Sequence, residues 1–221
     1  MRVAVWDLPV RLFHWALAVL VVFSFVTGKL GGNWMQWHVK SGCCILALLL
    51  FRLAWGVVGS SSARFAGFVR GPRAAIDYAR TLLARRPLVH AGHNPLGGWM
   101  VMAMLAMLLV QTGSGLFADD EIMTQGPLSV KASSAVVARM NWIHEFNKWL
   151  IVGAVALHVA AIATYQWGLK VNLVGPMVHG SATLDPSVPA PRLGSGVLAA
   201  ILLALSGAAV YWLVAVFPKL P

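Results

Sequence analysis

Two histidines in the apolar stretch 142–167 are the first residues whose spacing suggests chemistry. Fourteen residues separate His144 from His158, so at about 100° per residue their side chains lie about 40° apart around a helix axis. At about 1.5 Å per residue they lie about 21 Å apart along it, whereas the hydrocarbon core of a bilayer is roughly 30 Å thick. One helix face would therefore carry an imidazole near each side of a membrane, where a buried polar ring is costly and usually functional.

The composition is that of a membrane protein. Hydrophobic residues make up 59% of the 221 residues and charged residues 11%, whereas soluble domains contain about 25% charged residues. The ten tryptophans suit the aromatic belts of membrane helices. A net charge of +10 would suit nucleic-acid binding, but the basic residues cluster between apolar segments, which favours a membrane orientation signal and no nucleic-acid partner. Cys43 and Cys44 are adjacent and provide no disulfide framework.

The apolar runs predict an all-α integral membrane protein with five spans. Four of them, at about residues 8–28, 38–59, 96–117 and 142–167, would form a transmembrane bundle within a core of residues 1–180. A linker rich in Pro and Gly would lead to the fifth span at about residues 197–217, which gives a C-terminal part of residues 181–221. Residues 72–86 have the pattern of an amphipathic helix on an anionic leaflet, although a solvated loop helix fits nearly as well.

The distribution of Lys and Arg predicts the orientation. The N-terminus and the second and fourth connections hold ten of these residues, and the other connections and the C-terminus hold five. Basic residues collect on the cytoplasmic side. We therefore expect a multi-pass protein of the bacterial inner membrane, with a cytoplasmic N-terminus and a periplasmic C-terminus.

This orientation assigns a depth to four histidines. His38 and His144 open spans that enter from the outer side, whereas His14 opens a span at the inner side and His158 lies about 21 Å further in than His144. The depths match as His38 with His144 and His14 with His158. Paired imidazoles from facing helices are a common way to hold haem iron in a bundle core. A single histidine could be merely interfacial, but four at two matching depths indicate metal ligands, and zinc would need more ligands at one point.

Three further side chains are candidates for contact with the cofactor. Arg52, fourteen residues after His38, could pair with a haem propionate or extend to the inner headgroups. Lys148 could contact the propionates of the outer haem or pair with Glu145. His93, like His90 in the same stretch, could contact a quinone head group, a propionate or only water. His179 lies in a polar linker and is expected at the surface.

The sequence resembles the bacterial cytochrome b561 and nickel–iron hydrogenase b-type cytochrome family. The resemblance covers nearly everything from Val5 to Gly180 and rests on the stretches VWDLPVRLFHW, HVKSGCCILALLLFRLAWGVVGS, GHNPLGGWMVMAMLAMLLVQTGSGLF, WIHEFNKWLIVGAVALHVAAI and NLVGPMVHG. It implies a four-helix core with two b-type haems, and the ligands carried over fall on His14, His38, His144 and His158. Arg52 and His93 also match family positions. The fifth span lies outside the usual core and carries no histidine, so we expect it to pack or to dock a partner.

The resemblance implies electron transfer between the quinone pool and a periplasmic redox partner. That partner would be a c-type cytochrome or a reductase or hydrogenase subunit. Two axial imidazoles leave no open position on the iron, so substrate chemistry at the iron is not expected. One alternative is a stand-alone quinol-linked oxidoreductase such as a superoxide oxidase. The other is a haem-free membrane transporter or scaffold.

Overall fold

The computed structural model describes residues 1–84, 92–120, 124–184 and 188–220. Over these residues the chain forms two short strands and eight α-helices. The strands are β1 Arg2–Ala4 and β2 Ser181–Thr183; the helices are α1 Leu8–Leu30, α2 Met35–Val58, α3 Phe65–Phe68, α4 Pro72–Leu83, α5 Pro95–Gly115, α6 Ser134–Ala163, α7 Val174–His179 and α8 Gly196–Tyr211. Short π-helical segments, Thr164–Gly168 and Trp212–Val216, follow α6 and α8.

The prediction of an all-α protein with five membrane spans is confirmed. Five helical stretches are long and apolar enough to cross a bilayer: Leu8–Leu30, Gly32–Val58, Pro95–Gly115, Ser134–Gly168 and Gly196–Lys219. Their outer faces carry large apolar side chains such as Val19, Leu157 and Leu205, each at least 60% exposed. Lipid is the solvent that such faces require.

The fourth spanning helix begins earlier than the apolar run suggests. The predicted span starts near residue 142, whereas α6 begins at Ser134. Residues 134–141, SAVVARMN, include good helix formers and contain neither Pro nor Gly. The helix therefore continues beyond the apolar segment, and His144 lies well inside α6.

The chain divides into two compact units, each assembled from three segments. The first unit comprises Met1–Leu12, Arg52–Met104 and Gly153–Ala199. In it β1 pairs antiparallel with β2, and the terminal ammonium of Met1 donates a hydrogen bond of 2.9 Å to the carbonyl of Leu184. The predicted amphipathic segment forms α4, whose Tyr78 is buried within this unit. Arg85, Arg86 and His90 lie outside the described residues.

The second unit comprises Phe13–Phe51, Leu105–Val152 and Ala200–Pro221. Its apolar core contains Leu46 of α2, Leu116 and Leu128 from the connection after α5, and Val210 of α8. The fifth spanning helix thus packs within the protein through its second half. Packing is one of the two roles predicted for it.

Candidate functional site

The imidazoles of His38 and His144 lie side by side in the second unit. Their ring centroids are 5.9 Å apart and their planes are nearly perpendicular, at 83°. His38 lies in the first turn of α2 and His144 in the third turn of α6, and both side chains are half-buried. Two helices distant in sequence therefore present one imidazole each to the same place.

The Nδ1 atom of each imidazole contacts a backbone carbonyl of another helix, α1 for His38 and α5 for His144. His38 Nδ1 lies 2.8 Å from the carbonyl oxygen of Ser24 in α1. His144 Nδ1 lies 3.0 Å from the carbonyl oxygen of Gln111 in α5. A carbonyl oxygen can only accept, so Nδ1 carries the hydrogen in both rings. The neutral ring then has its lone pair on Nε2, which is the form in which histidine binds a metal.

A glycine lies against each imidazole, four residues after the carbonyl that holds it. A Cβ atom at Gly28 would lie 2.8 Å from Nδ1 of His38, and one at Gly115 would lie 2.9 Å from Cε1 of His144. Both distances are shorter than real Cβ contacts, so only glycine admits the rings in these positions. The pairs Ser24 with Gly28 and Gln111 with Gly115 therefore use the same spacing on two different helices.

Serine hydroxyls complete the surroundings of both rings. Ser24 Oγ and Ser114 Oγ each lie 3.3 Å from the Nδ1 atom of the nearby histidine. Both hydroxyls are on the side of the ring that faces the neighbouring helix. They therefore leave the Nε2 side of each imidazole unchanged.

A network of side-chain amides reinforces the backbone near His144. Gln111 donates from Nε2 to the carbonyl of His144 at 3.1 Å. Asn147, which is 5% exposed, donates to Gln111 Oε1 at 2.8 Å and to the carbonyl of Met107 at 2.9 Å. These bonds join α5 to α6 beside the imidazole. Sequence reasoning missed both amides, although a polar Asn147 three residues after His144 in an apolar run is a usable signal.

The spacing of the two rings fits a metal ion held between them. A metal–imidazole nitrogen bond is about 2 Å long and the nitrogen lies about 1 Å from its ring centroid, so shared ligation needs centroids roughly 6 Å apart. The observed 5.9 Å agrees with that value. Within the described ranges, no group of three or more His, Cys, Asp or Glu side chains could share an ion. The donors at this place are thus two imidazoles, the set that suits haem iron.

The other two predicted ligands, His14 and His158, belong to different units. His14 is a half-buried residue of α1 in the second unit, where its ring meets Trp15 edge-on at 5.0 Å. His158 is a half-buried residue of α6 in the first unit. Their pairing stays a prediction from the sequence.

Arg52 is buried in the first unit, with 3% of its surface exposed. Its Nη2 donates to the carbonyl of Ala63 at 3.1 Å, and the guanidinium lies over the ring of Phe65, 4.8 Å from the centroid. The side chain is therefore fixed inside the protein. Its two predicted roles, contact with a propionate and extension to the headgroups, stay predictions.

Lys148 and His93 have protein contacts of their own. Lys148 Nζ lies 2.6 Å from Glu145 Oε1, which is the second of its two predicted roles. His93 packs against Trp6 and Phe68, with ring centroids at 4.7 Å and 4.5 Å. An aromatic pocket in the first unit thus positions the imidazole of His93. His179, predicted at the surface, is exposed.

Comparison with known proteins identifies the family. The family model described as prokaryotic cytochrome b561 matches residues 5–180. This chain belongs to the prokaryotic cytochrome b561 family. It is an integral membrane cytochrome of the b type, which carries haem b and serves electron transport.

Several curated proteins resemble this cytochrome along most of their length. Two are probable Ni/Fe-hydrogenase B-type cytochrome subunits: one from Azotobacter chroococcum is 25% identical over 80% of the chain and 87% of the relative, and one from Cupriavidus necator is 24% identical over 81% and 86%. A probable Ni/Fe-hydrogenase 1 B-type cytochrome subunit of Escherichia coli K12 is 24% identical over 70% and 72%. No solved structure matches the chain at a significant level.

This cytochrome also buries an acidic side chain that sequence reasoning did not single out. Asp7 in the first unit is 5% exposed. Its Oδ1 accepts the backbone N–H of Val10 at 2.7 Å and its Oδ2 accepts the indole N–H of Trp55 at 3.0 Å. The hydroxyl of Ser60 donates to the same Oδ2. One carboxylate therefore caps the start of α1 and binds α2 and the segment after it.

Two buried tyrosines of the cytochrome share a hydrogen bond in the first unit. The hydroxyls of Tyr78 in α4 and Tyr165 in the π-helical segment are 2.9 Å apart. Asn94 donates to Tyr165 at 3.0 Å, while its Oδ1 accepts the N–H of Gly97 at 2.8 Å. Burial, together with the bond to Tyr165, raises the pKa of the Tyr78 phenol. These bonds fix α4 to the ends of two spanning helices.

Proposed function

We propose that this cytochrome carries electrons across the bacterial inner membrane through two haem b groups, each held by two histidines. The electrons would pass between the quinone pool and a periplasmic redox partner such as a c-type cytochrome or a reductase or hydrogenase subunit. The hydrogenase alternative draws on the similarity to probable Ni/Fe-hydrogenase B-type cytochrome subunits. Haem b, when bound, supplies one-electron redox chemistry.

The observation that carries the proposal is the pair His38 and His144. Both rings are held by a carbonyl at Nδ1 and admitted by a glycine, so both are fixed in an orientation whose neutral form offers Nε2 to a metal. His38 and His144 would together hold one haem iron, and the haem would supply one-electron redox chemistry at this place.

The second haem is proposed from the sequence. His14 and His158 match in predicted depth, as His38 and His144 do, and an inner site 21 Å or so from the outer one would complete the path. The excess of Lys and Arg at the N-terminus and in the second and fourth connections supports a cytoplasmic N-terminus and a periplasmic C-terminus.

Two residues of the first unit are proposed as contacts for the inner haem or a quinone. Arg52 offers a buried cation suited to a propionate. His93 offers an imidazole in an aromatic pocket, suited to a propionate or a quinone head group. Lys148 remains a candidate for the propionates of the outer haem, although its ammonium contacts Glu145.

The deciding experiment is purification of the full chain in mild detergent, followed by a reduced-minus-oxidised spectrum and a haem count per chain. We expect a b-type spectrum with two haems. A single haem would contradict the proposed second site, and a protein without haem would contradict the cytochrome function.

The same preparation tests the partner. A relay subunit should copurify with a redox chain that accepts electrons from its reduced haems. Quinol turnover by the isolated chain would instead support the stand-alone oxidoreductase. Mass spectrometry of the copurified chains and a quinol oxidation assay separate the two.

A further inference from the structure

Among the buried hydrogen-bond donors of the first unit that have no partner in the described residues, two belong to neighbouring segments. One is Nη1 of Arg52, whose side chain is 3% exposed, and the other is the hydroxyl of Ser62, which is 8% exposed. Burying a donor without an acceptor costs free energy, and the cost is larger when the donor is charged. Most buried polar groups in proteins are paired. A group that supplies acceptors at this place is therefore expected.

The two donors lie in the same small region. Arg52 donates from Nη2 to the carbonyl of Ala63, the residue that follows Ser62. The guanidinium is also covered by the ring of Phe65 at 4.8 Å. The hydrogen bond and the ring hold the guanidinium in place, and its Nη1 stays without a partner. Nη1 of Arg52 and Oγ of Ser62 are both buried atoms.

Asp7, an acid of the same unit whose charge acts on Arg52, already accepts hydrogen bonds from other groups. Asp7 accepts hydrogen bonds from Val10, Trp55 and Ser60, so its oxygens are engaged by other donors. Asp7 offsets part of the charge of Arg52 without satisfying Nη1. A buried cation and a neighbouring hydroxyl then match one type of ligand group, an anion with at least two acceptor oxygens.

We propose that Arg52 and Ser62 form a two-point anion site that binds one carboxylate or phosphate group of a bound ligand. Ser62 is the new member, with the role of a second donor beside the guanidinium. The anionic group has two candidate sources. One is a propionate of haem, which rests on the proposed function, and the other is the phosphate of an anionic phospholipid.

Esterified haem distinguishes the sources. The full chain, prepared without haem in a neutral detergent, is titrated with haem b and with its dimethyl ester, and binding is followed by absorbance. Ser62→Ala should weaken binding of the free acid by about 10-fold, and Arg52→Gln by about 10- to 100-fold, because a bond to a charged group is lost in each case. Neither variant should change binding of the ester relative to the unmodified chain.

Ser61→Ala is the matched control. Ser61 is the neighbouring serine, and its Oγ already accepts the backbone N–H of Arg192 at 2.9 Å. This variant should bind haem and the ester as the unmodified chain does. A loss caused by disturbance of the loop would appear in Ser61→Ala as well.

A phospholipid arm completes the test. The thermal midpoint of the haem-free chain is measured with and without phosphatidylglycerol, using phosphatidylcholine as the uncharged comparison. If Ser62→Ala removes a stabilisation specific to phosphatidylglycerol and leaves haem binding unchanged, the anion is a lipid phosphate. The lipid measurement gives a result even if the chain binds no haem. Failure of the proposed function can therefore be distinguished from failure of the anion site.

The proposal is overturned if Ser62→Ala and Arg52→Gln weaken haem and its ester equally and leave the lipid response unchanged. That result would assign the two donors a structural role or an ordered water. It is also overturned if both variants match Ser61→Ala in every measurement.

Discussion

The two units differ in how far the protein itself supplies hydrogen-bond partners for their polar side chains. In the second unit, the Nδ1 atoms of His38 and His144 are held by the protein at 2.8 Å and 3.0 Å, and only the Nε2 side of each ring is left for a ligand. In the first unit, Asp7 is fully engaged, whereas Arg52 and Ser62 keep buried donors without a described partner. One region orients two imidazoles through hydrogen bonds, and the other retains buried donors without a described acceptor.

This difference indicates which polar groups have hydrogen-bond partners within the protein and which do not. The imidazoles of His38 and His144 are only half-buried, and each already has a hydrogen-bond partner at Nδ1. A buried guanidinium does need one, because its charge is expensive in an apolar environment. We therefore expect variants around His38 and His144 to change haem content, and variants at Asp7, Arg52 and Ser62 to change stability or ligand affinity.

The largest effect is expected from removal of an imidazole. His144→Ala should lose the outer haem and leave the inner one largely in place, so the count falls from two haems per chain to one. His158→Ala should do the reverse. Haem content of the purified variants and their reduced spectra provide the measurement.

His179→Ala is the matched control, because His179 is exposed and lies outside the predicted ligand set. It should retain two haems. If both His144→Ala and His158→Ala also retained two haems, the ligand assignment would be incorrect.

A large loss of stability is expected from substitution of Asp7, the buried acid of the first unit. Asp7→Asn keeps the shape of the side chain but places an amide donor against the donors of Trp55 or Ser60. We expect a loss of about 3 kcal/mol, the range for a buried polar network left unsatisfied. Unfolding of the purified chain in detergent, followed by tryptophan fluorescence, measures it.

The same substitution in an exposed ion pair is the comparison for Asp7. Asp77 pairs with Arg80 at 3.1 Å with its side chain 56% exposed, so Asp77→Asn should cost less than about 0.5 kcal/mol. Equal losses for the two variants would show that the buried contacts of Asp7 add nothing to stability.

The sequence was sufficient to predict the features that depend on residue types and spacing within single helices. Apolar runs predicted five spans, and the structure has five helices of that kind. Matching depths selected His38 and His144 as partners, and the structure brings their rings to 5.9 Å. Their role as ligands stays a prediction. The start of α6 at Ser134 was missed, because an apolar run marks the membrane segment and not the end of the helix.

The parts that depend on contacts between distant residues could not be predicted. Asp7 and Trp55 are 48 positions apart, and nothing in either neighbourhood indicates that they bind each other. The acceptors of the imidazoles are backbone carbonyls, which every residue has, so Ser24 and Gln111 had no distinguishing signal. Gly28 and Gly115 had no distinguishing signal either, because glycine is also common where membrane helices simply pack.

A moderate effect is expected from filling the space beside an imidazole. Gly115→Ala would place a Cβ atom 2.9 Å from Cε1 of His144, so the ring must move away from its carbonyl. Overpacking of this kind costs about 1–3 kcal/mol. We expect lower haem affinity and a shifted midpoint potential for the outer haem, measured by titration and by spectroelectrochemistry.

Gly113→Ala on the same helix is the matched control. A Cβ atom at Gly113 meets no protein atom within 4 Å, so this variant should leave the ring of His144 in place and gain slightly in helix stability. If Gly113→Ala weakened haem binding as much as Gly115→Ala, the effect would belong to the helix as a whole and not to the space beside the ring.

The smallest effect is expected at Lys148, and it decides between the two predicted roles of that residue. Its ammonium binds Glu145 at 2.6 Å and lies over the ring of Trp149 at 5.2 Å, so the observed contacts are local to α6. Glu145 is 68% exposed, and pairs of this kind contribute about 0–0.5 kcal/mol. We therefore expect Lys148→Met and Glu145→Gln to have similar small effects on the thermal midpoint and none on the potential of the outer haem.

A lysine that contacted a propionate would behave otherwise: Lys148→Met would remove a positive charge near the iron and lower the midpoint potential, while Glu145→Gln would not. A lowered potential in Lys148→Met alone would therefore place Lys148 at the propionates and make the Glu145 contact secondary.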